Sequence, residues 1–459
     1  MNKHIINIAV AASVLPMLAG CHIYQKFDIE KQDSDLAKEY AQASEMPLPD
    51  TFGNTRWEVV FTDPVLQDLI RQALASNIDL DNARLNVEAA HAGLRGARLA
   101  YLPSLSLGAQ ASSSNVNNFK VQSWSYSVPL QASWEIDIFG KLLNSKRSAN
   151  ASYEMAQDYA QAVRSQIIGA VANTYYAIGA LRSQIRLSEE TAEVWKKNVE
   201  TMRDYKLIGR TNEAAIMQAE ANYLSILANL QDLRHSLHEA NNSMALLLHK
   251  MPQEFPIGEL NFAPPTLVLN GIALEQLAAR PDVRAAEKSL AVAYYATNSA
   301  RSAFYPGLTL SAGYTFTNTL GQIVKKPGEF ISSLAGSLAA PLFSRGQNIA
   351  RLQAAKAQQQ QALNNFEKSL LSAASEVSNA MTAYETNVEK QKHLTAQVDD
   401  LVKASDYTKE LYAMGSATYL EMLTAQSSLL SAQMSLISCE LSQAQAVINL
   451  YQSLGGGRE

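Results

Sequence analysis

Residues 123–138 read SWSYSVPLQASWEIDI, with an apolar side chain at almost every second position. In an extended chain Trp124, Tyr126, Val128, Leu130, Ala132, Trp134, Ile136 and Ile138 share one face. Ser123, Ser125, Ser127, Gln131, Ser133, Glu135 and Asp137 take the other. Strands of soluble sandwiches usually run about 5 or 6 residues. A strand that crosses a bilayer needs about 9–11 and must alternate lipid-facing with lumen-facing side chains. The stretch therefore predicts a membrane strand. Just before it, Leu105, Leu107, Ala109 and Ala111 alternate in the same way, which predicts a β-hairpin over 103–139. A second hairpin is predicted over 306–343, from Leu308, Leu310, Ala312, Tyr314 and Phe316, then Phe330, Leu334, Leu338 and Leu342.

Four strands cannot close a barrel, because closed membrane barrels start at about 8. An open edge in lipid would leave backbone groups unsatisfied at several kcal/mol each. The chain must share its barrel with copies of itself. Two copies would give a cylinder whose interior side chains fill; three would give twelve strands and leave a passage.

The two hairpins belong to a larger repetition. Leu74–Ala109 lies over Leu277–Ala312 without a gap at a constant offset of 203, with Asp79/Asp282, Ala97/Ala300, Arg98/Arg301, Pro103/Pro306 and Leu105/Leu308 among the identical pairs. A repetition of this kind is a statement about architecture before any local motif is read. It divides the chain into a first unit over 67–251 and a second over 272–454, joined by a Pro-rich connector at 252–271 and followed by a tail at 455–459.

After each hairpin comes a very long helical pattern, predicted at 141–208 and 346–413, then a Gly-containing reversal and a return helix, at 212–249 and 417–453. The apolar seam Ala149, Tyr153, Ala156, Ala160, Val163, Ile167 advances by steps of four and three. After one extra four-residue step it resumes from Val171 through Ile178, Ala192, Trp195 and Val199 to Met202, a heptad-like seam with one stutter. Leu363, Phe366, Leu370, Ala373, Val377, Met381, Tyr384 and Val388 do the same in the second unit. Each run spans on the order of 100 Å at 1.5 Å per residue. The fold class is therefore mainly α with membrane β: long coiled-coil hairpins plus four strands per chain.

The amino terminus carries an address. Lys3, an apolar stretch from Ile5 to Leu18, and Leu18-Ala19-Gly20-Cys21 read as a secretory signal over 1–20. The quartet resembles a bacterial lipobox, which implies acylation of Cys21 and a lipid-anchored segment over 21–66. His22, in place of Asp, favours the outer membrane. Cys439, left alone on a helical pattern, reads as a small buried residue.

Composition narrows the chemistry further. The chain has 459 residues, 47% hydrophobic and 18% charged, and its 38 basic against 43 acidic residues give a net charge of -5. No basic cluster is suited to a phosphate backbone, so nucleic acid is not an expected partner. No GxxxxGK[ST] loop occurs, and no convergent acid, base or nucleophile set predicts an enzyme. His235 and His238 lack a third metal ligand nearby, and Met414, Met422 and Met434 are spaced as packing residues, so no metal site or cofactor is expected beyond the lipid on Cys21.

Several stretches taken together resemble the TolC-like outer-membrane efflux channel family, in its lipidated branch that serves resistance-nodulation-division (RND) pumps. They are Leu277-Ala278-Ala279-Arg280-Pro281-Asp282-Val283, Phe304-Tyr305-Pro306, Trp134-Glu135-Ile136-Asp137-Ile138-Phe139-Gly140 and Tyr419-Leu420-Glu421-Met422-Leu423-Thr424-Ala425-Gln426. The resemblance covers essentially the whole mature chain. It implies a homotrimer in the outer membrane of a Gram-negative bacterium, with a shared twelve-stranded barrel and a helical tunnel in the periplasm. It also implies two partners, a periplasmic adaptor (membrane fusion) protein and an inner-membrane RND transporter. The hairpin tips at Gly209, Arg210, Gly415 and Ser416 would meet the adaptor. Tyr412, Glu421 and Thr424 would line the periplasmic constriction, where a ring of Glu421 carboxylates would favour cations and raise one another's pKa. Ala417 stands where many relatives carry an Arg that locks the entrance, with Ala214 and Ala215 opposite, and Tyr205, Arg210 and Glu213 are the candidates to replace that lock. A type I secretion exit duct uses the same architecture, and a lipid-anchored scaffold without a pore is the alternative of a different class.

Overall fold

A computed structural model describes residues 23–46, 52–115, 122–257, 274–319, 329–340 and 345–458. Cys21, the signal segment and most of the connector lie outside them. The chain divides into two compact units: Met1–Ala41, Leu85–Asp158 and Arg284–Lys368 form one; Gln42–Arg84, Tyr159–Val283 and Ser369–Glu459 form the other. Among the described residues no helix is long and apolar enough to cross a membrane.

The helices in chain order are α1 (Asp35–Glu45), α2 (Trp57–Val60), α3 (Pro64–Ser76), α4 (Ile78–Leu99), α5 (Lys141–Leu207), α6 (Glu213–Leu247), α7 (Leu274–Ala278), α8 (Pro281–Ser302), α9 (Gln347–Ala413) and α10 (Tyr419–Ser453). The strands are β1 (Ser104–Leu107), β2 (Gln110–Asn115), β3 (Gln122–Ile136), β4 (Gly307–Thr319) and β5 (Glu329–Ala339). α5 and α9 have 67 residues each, α6 and α10 have 35 each. Two helix starts carry residues suited to an N-terminus: Asp63 accepts from the Val65 N–H at 2.8 Å ahead of Pro64, and Pro281 opens α8.

The first unit holds one antiparallel sheet in the order β1/β2–β3–β4–β5. Where the sequence predicted a single first strand, there are two segments. β1 and β2 pair with β3 in one unbroken register, Leu107 opposite Leu130 and Gln110 opposite Ser127, so no residue is inserted between them. The ladder lapses because Gly108 faces Pro129: the Gly108 N–H donates to the Pro129 carbonyl at 2.9 Å, and proline has no N–H to return. β3 and β4 pair from Ser125/Thr319 to Ile136/Leu308, and β4 and β5 from Gly307/Ala339 to Thr317/Glu329.

This register stacks like on like. Leu107, Leu130 and Tyr314 align across the sheet, as do Trp134 with Leu310 and Ile136 with Leu308 and Leu338. On the opposite face Ser104, Ser133, Ser311, Gln131 and Ser106 align. The apolar face is uncovered: Leu107 is 73% exposed, Leu338 68% and Leu334 85%. Each exposed Leu forgoes roughly 1.5–3 kcal/mol that burial would return. In the same unit, Phe27, Val292 and Tyr294 pack on Ala151, Ala291 and Tyr295. Tyr40 and Phe366 meet edge to face at 4.9 Å.

In the second unit the core gathers Leu66, Leu69 and Ile70 of α3, Leu80 of α4, Ile167, Val171, Tyr175 and Ile178 of α5, Met244 of α6 and Ile448 and Tyr451 of α10. Arg280 is buried, paired with Asp282 and Glu376 at 2.7 Å and donating to the Ser453 carbonyl at 2.8 Å. The described part of the tail, 455–458, is packed. Gly455–Gly457 are buried, the Gly457 N–H donates to the Tyr451 hydroxyl, and the Arg458 side chain donates to the Ala279 carbonyl. A Cβ on Gly456 would lie 2.5 Å from the Tyr451 ring, so only glycine fits there. The connector also begins inside the core: Phe255 is buried and its N–H donates to the Asn241 side chain at 3.1 Å.

Candidate functional site

The two reversals, Gly209 and Gly415, end their helices by the same device. Gly209 has φ +78° and Gly415 φ +76°, left-handed values that cost a residue with Cβ roughly 1–2 kcal/mol. The Gly209 N–H donates to the Lys206 carbonyl at 3.0 Å and the Arg210 N–H to the Tyr205 carbonyl at 2.9 Å. At the other tip Gly415 donates to Tyr412 at 3.0 Å and Ser416 to Leu411 at 2.8 Å. Both are the paired bonds that close a helix around a C-terminal glycine.

The return helices start differently. Asn212 caps α6 by accepting from the Ala215 N–H at 2.9 Å, and Glu213 forms an ion pair with Lys206. Thr418 and Glu421 form a reciprocal capping box on α10. The Thr418 hydroxyl accepts from the Glu421 N–H at 3.3 Å, and the Glu421 carboxylate accepts from the Thr418 N–H at 2.6 Å and its hydroxyl at 2.9 Å. Those bonds to the Thr418 backbone and side chain hold the Glu421 carboxyl below its ordinary range. Within one chain the shift is thus opposite to that expected of a carboxylate ring.

Aromatic rings connect the tips. Tyr412 lies 6.1 Å from Tyr205 and 5.8 Å from Tyr419, centroid to centroid, and its hydroxyl contacts the Met202 sulfur at 3.7 Å. The Arg210 guanidinium sits 5.4 Å over the Tyr205 ring. Burial pushes the Tyr412 phenol up, with the neighbouring Tyr205 adding to it. Burial also raises Tyr419, whose hydroxyl has no hydrogen-bond partner among the described residues. Tyr205, Gly209, Arg210, Tyr412, Gly415, Ala417 and Tyr419 line a cleft of about 640 Å³.

Of the residues singled out from the sequence, the structure therefore brings Tyr412, Gly209, Arg210 and Gly415 together. Ser416 contributes a backbone bond, and Thr424 bonds back to the Leu420 carbonyl at 2.8 Å. Among the candidate lock residues Glu213 pairs with Lys206 in its own hairpin and Arg210 with the Tyr205 ring, while Tyr205 meets Tyr412 of the other tip. Sequence reasoning missed Tyr419 as a member of this cluster. Its signal was its place immediately after the Thr418 cap, one residue into the helix.

Other candidates stand apart. Among the described residues no group of three His, Cys, Asp or Glu side chains is placed to hold a metal ion. His235 faces Glu239 at 3.4 Å. Met422 is buried and Met414 exposed. Cys439 is free and buried against the Asn387 carbonyl, and burial pushes its thiol up.

The family model for outer membrane efflux proteins matches residues 69–248 and 274–456. The probable outer membrane lipoprotein SilC of Salmonella typhimurium is 27% identical over 98% of this chain and 98% of its own length. The cation efflux system protein CusC of Escherichia coli (strain K12) is 27% identical over 96% of this chain and 97% of its own. A solved CusC structure superposes with a TM-score of 0.79 at 27% identity, covering 90% of this chain and 97% of that one. The open state of the Neisseria gonorrhoeae MtrE outer membrane channel gives 0.79 at 27% identity, covering 95% and 98%.

Proposed function

The chain belongs to the outer membrane efflux protein family, and from that premise we propose that three copies close one twelve-stranded barrel and serve as the passive exit duct of a tripartite efflux pump. The protein is an outer-membrane efflux channel. The observation that supports a shared barrel most directly is the sheet of the first unit. It is apolar on one face and polar on the other, and at β1/β2 and β5 no further strand pairs with it among the described residues. Such a sheet has one low-energy environment in a bilayer, a closed ring with the leucines outward and the serines inward.

In this reading Cys21 carries the lipid, and the equal hairpins α5–α6 and α9–α10 are two copies of one ancestral unit. Their tips at Gly209, Arg210, Gly415 and Ser416 meet a periplasmic adaptor. Tyr412, Glu421 and Thr424 line the constriction, and an RND transporter in the inner membrane supplies the energy. The aromatic contact between Tyr205 and Tyr412 takes the place of an ion-pair lock.

The test is the mass of the detergent-purified full-length protein together with its conductance in planar bilayers. A trimer with discrete, cation-preferring channels is expected, and Glu421→Lys should weaken that preference. A monomer that passes no current would leave the scaffold reading standing instead.

A further inference from the structure

The corner between β3 and α5 is more heavily bonded to the amino-terminal segment than a passing loop requires. Gly140, at φ +68°, turns the chain, and a Cβ there would sit 3.1 Å from the Ile23 side chain. Asn144 is fully buried and its amide donates to the Ile23 carbonyl at 2.9 Å and the Gly140 carbonyl at 2.7 Å. Arg147 donates to the Tyr24 carbonyl at 2.9 Å and the Gln25 carbonyl at 3.2 Å. Tyr24 donates to the Ile138 carbonyl, and the Phe27 N–H donates to the Tyr295 hydroxyl at 3.1 Å. Within Ile23 to Phe27 the carbonyls of Ile23, Tyr24 and Gln25, the Phe27 N–H and the Tyr24 hydroxyl are all engaged, so the segment is held mainly through its backbone.

The same corner carries the marks of a membrane boundary. The Trp134 indole donates to the Tyr101 carbonyl at 2.9 Å, Phe139 stacks on Tyr305 at 5.0 Å, and the Lys146 ammonium sits 5.9 Å over the Tyr101 ring. Aromatic rings with adjacent basic residues are what a chain places at the headgroup level. They lie at the ends of β3 and β4 where the apolar alternation stops.

We infer that the Gly140–Asn144–Arg147 corner is a docking platform for the acylated amino terminus, fixing the height at which the lipid enters the bilayer to the base of the barrel strands. Cys21 precedes Ile23 by two residues, which reach at most about 7 Å. The acyl chains consequently enter the leaflet beside the aromatic boundary of the same subunit. Asn144 and Arg147 are positioning residues, and the partner they serve is a phospholipid surface reached through the chain's own diacylglycerol group. The inference rests on the lipoprotein reading of Cys21, and its test separates the two.

The full-length protein in detergent micelles is treated with trypsin, and cleavage after Lys26 is followed alongside the intact mass of the mature amino terminus. Cleavage follows the population of released segment, so N144A/R147A should be cut roughly tenfold faster than wild type, with unchanged acylation and unchanged channel conductance. Arg147→Met, which keeps an unbranched apolar side chain but loses both hydrogen bonds and the guanidinium over the Tyr295 ring, should fall between them and guards against a double variant that does not fold. Equal cleavage rates in Arg147→Met and wild type would overturn the platform. An amino terminus without acyl groups in all three proteins would overturn the lipoprotein reading, while the cleavage rates still decide whether the corner holds the segment.

Discussion

The hairpins α5–α6 and α9–α10 match in length and turn alike at their tips, yet they are finished to different degrees. In the distal half of α5, Ala192, Trp195, Val199 and Met202 are buried, and Trp195 packs with Ile226 of α6 and Leu423 of α10. The distal half of α9, from Met381 to Ala413, has no buried residue. What it has is one half-buried seam, Met381, Tyr384, Val388, Gln391, Leu394, Val398, Leu401 and Tyr412, with Val402, Tyr407 and Leu411 exposed around it. A helix with a single contact stripe is held by one neighbour, and a helix this long is not stable on propensity alone. The lesson is that α5 is completed by its own chain, whereas α9 still lacks part of its packing.

The largest expected break in that comparison is Trp195→Ala against Val398→Ala. The first should cost about 3–5 kcal/mol, because a large buried ring leaves a cavity. The second, at a half-buried seam, should cost about 1 kcal/mol or less within the chain. Denaturant unfolding followed by helical circular dichroism reads both. Similar losses would mean that α9 is as well packed as α5. Next come the turns. Gly209→Val and Gly415→Val should each lose roughly 1–2 kcal/mol from the left-handed backbone alone, since no atom stands within 4 Å of either new Cβ. Unequal losses would show that one tip carries a contact the other lacks.

The smallest effect sharpens the ends. Asn212→Ala and Thr418→Ala each remove a cap worth about 0.5–2 kcal/mol. Only the second should change the pH dependence. Glu421 has a lowered carboxyl pKa in the folded chain, so its contribution is present above the ordinary carboxylate range and is lost as pH falls through the lowered value. Thr418→Ala should move the Glu421 titration only part of the way back toward the ordinary range by NMR, because the larger contribution, from the backbone N–H at 418, survives, and should reduce that acid-side loss accordingly, while Asn212→Ala leaves both unchanged.

How much of this was readable beforehand follows the range of the interactions. The seam from Val163 to Met202 and the alternation from Val128 to Ile136 are periodic, and both come out on the faces expected of them. The interruption at Gly108 was not readable, because it depends on Pro129 standing opposite, a pairing across strands. Nor was the burial of Gly455–Gly457, which is fixed by Tyr451 and by Ile168 and Ser165 nearly three hundred residues away. At the tips the glycines announced the turns, but the partners of Lys206, Arg210 and Tyr419 depend on side-chain directions that spacing does not encode. The clamp on Ile23 escaped notice for the same reason, since its bonds run to backbone carbonyls that every residue possesses.

Cys439 has one more consequence. Its sulfur is shut away between α9 and α10 and is a poor thiolate, and the other cysteine of the chain, Cys21, would carry a thioether once acylated. The natural protein is then already silent toward maleimides, so a single cysteine introduced at Ser416 or Arg210 can take a spin label or fluorophore without first rebuilding the background.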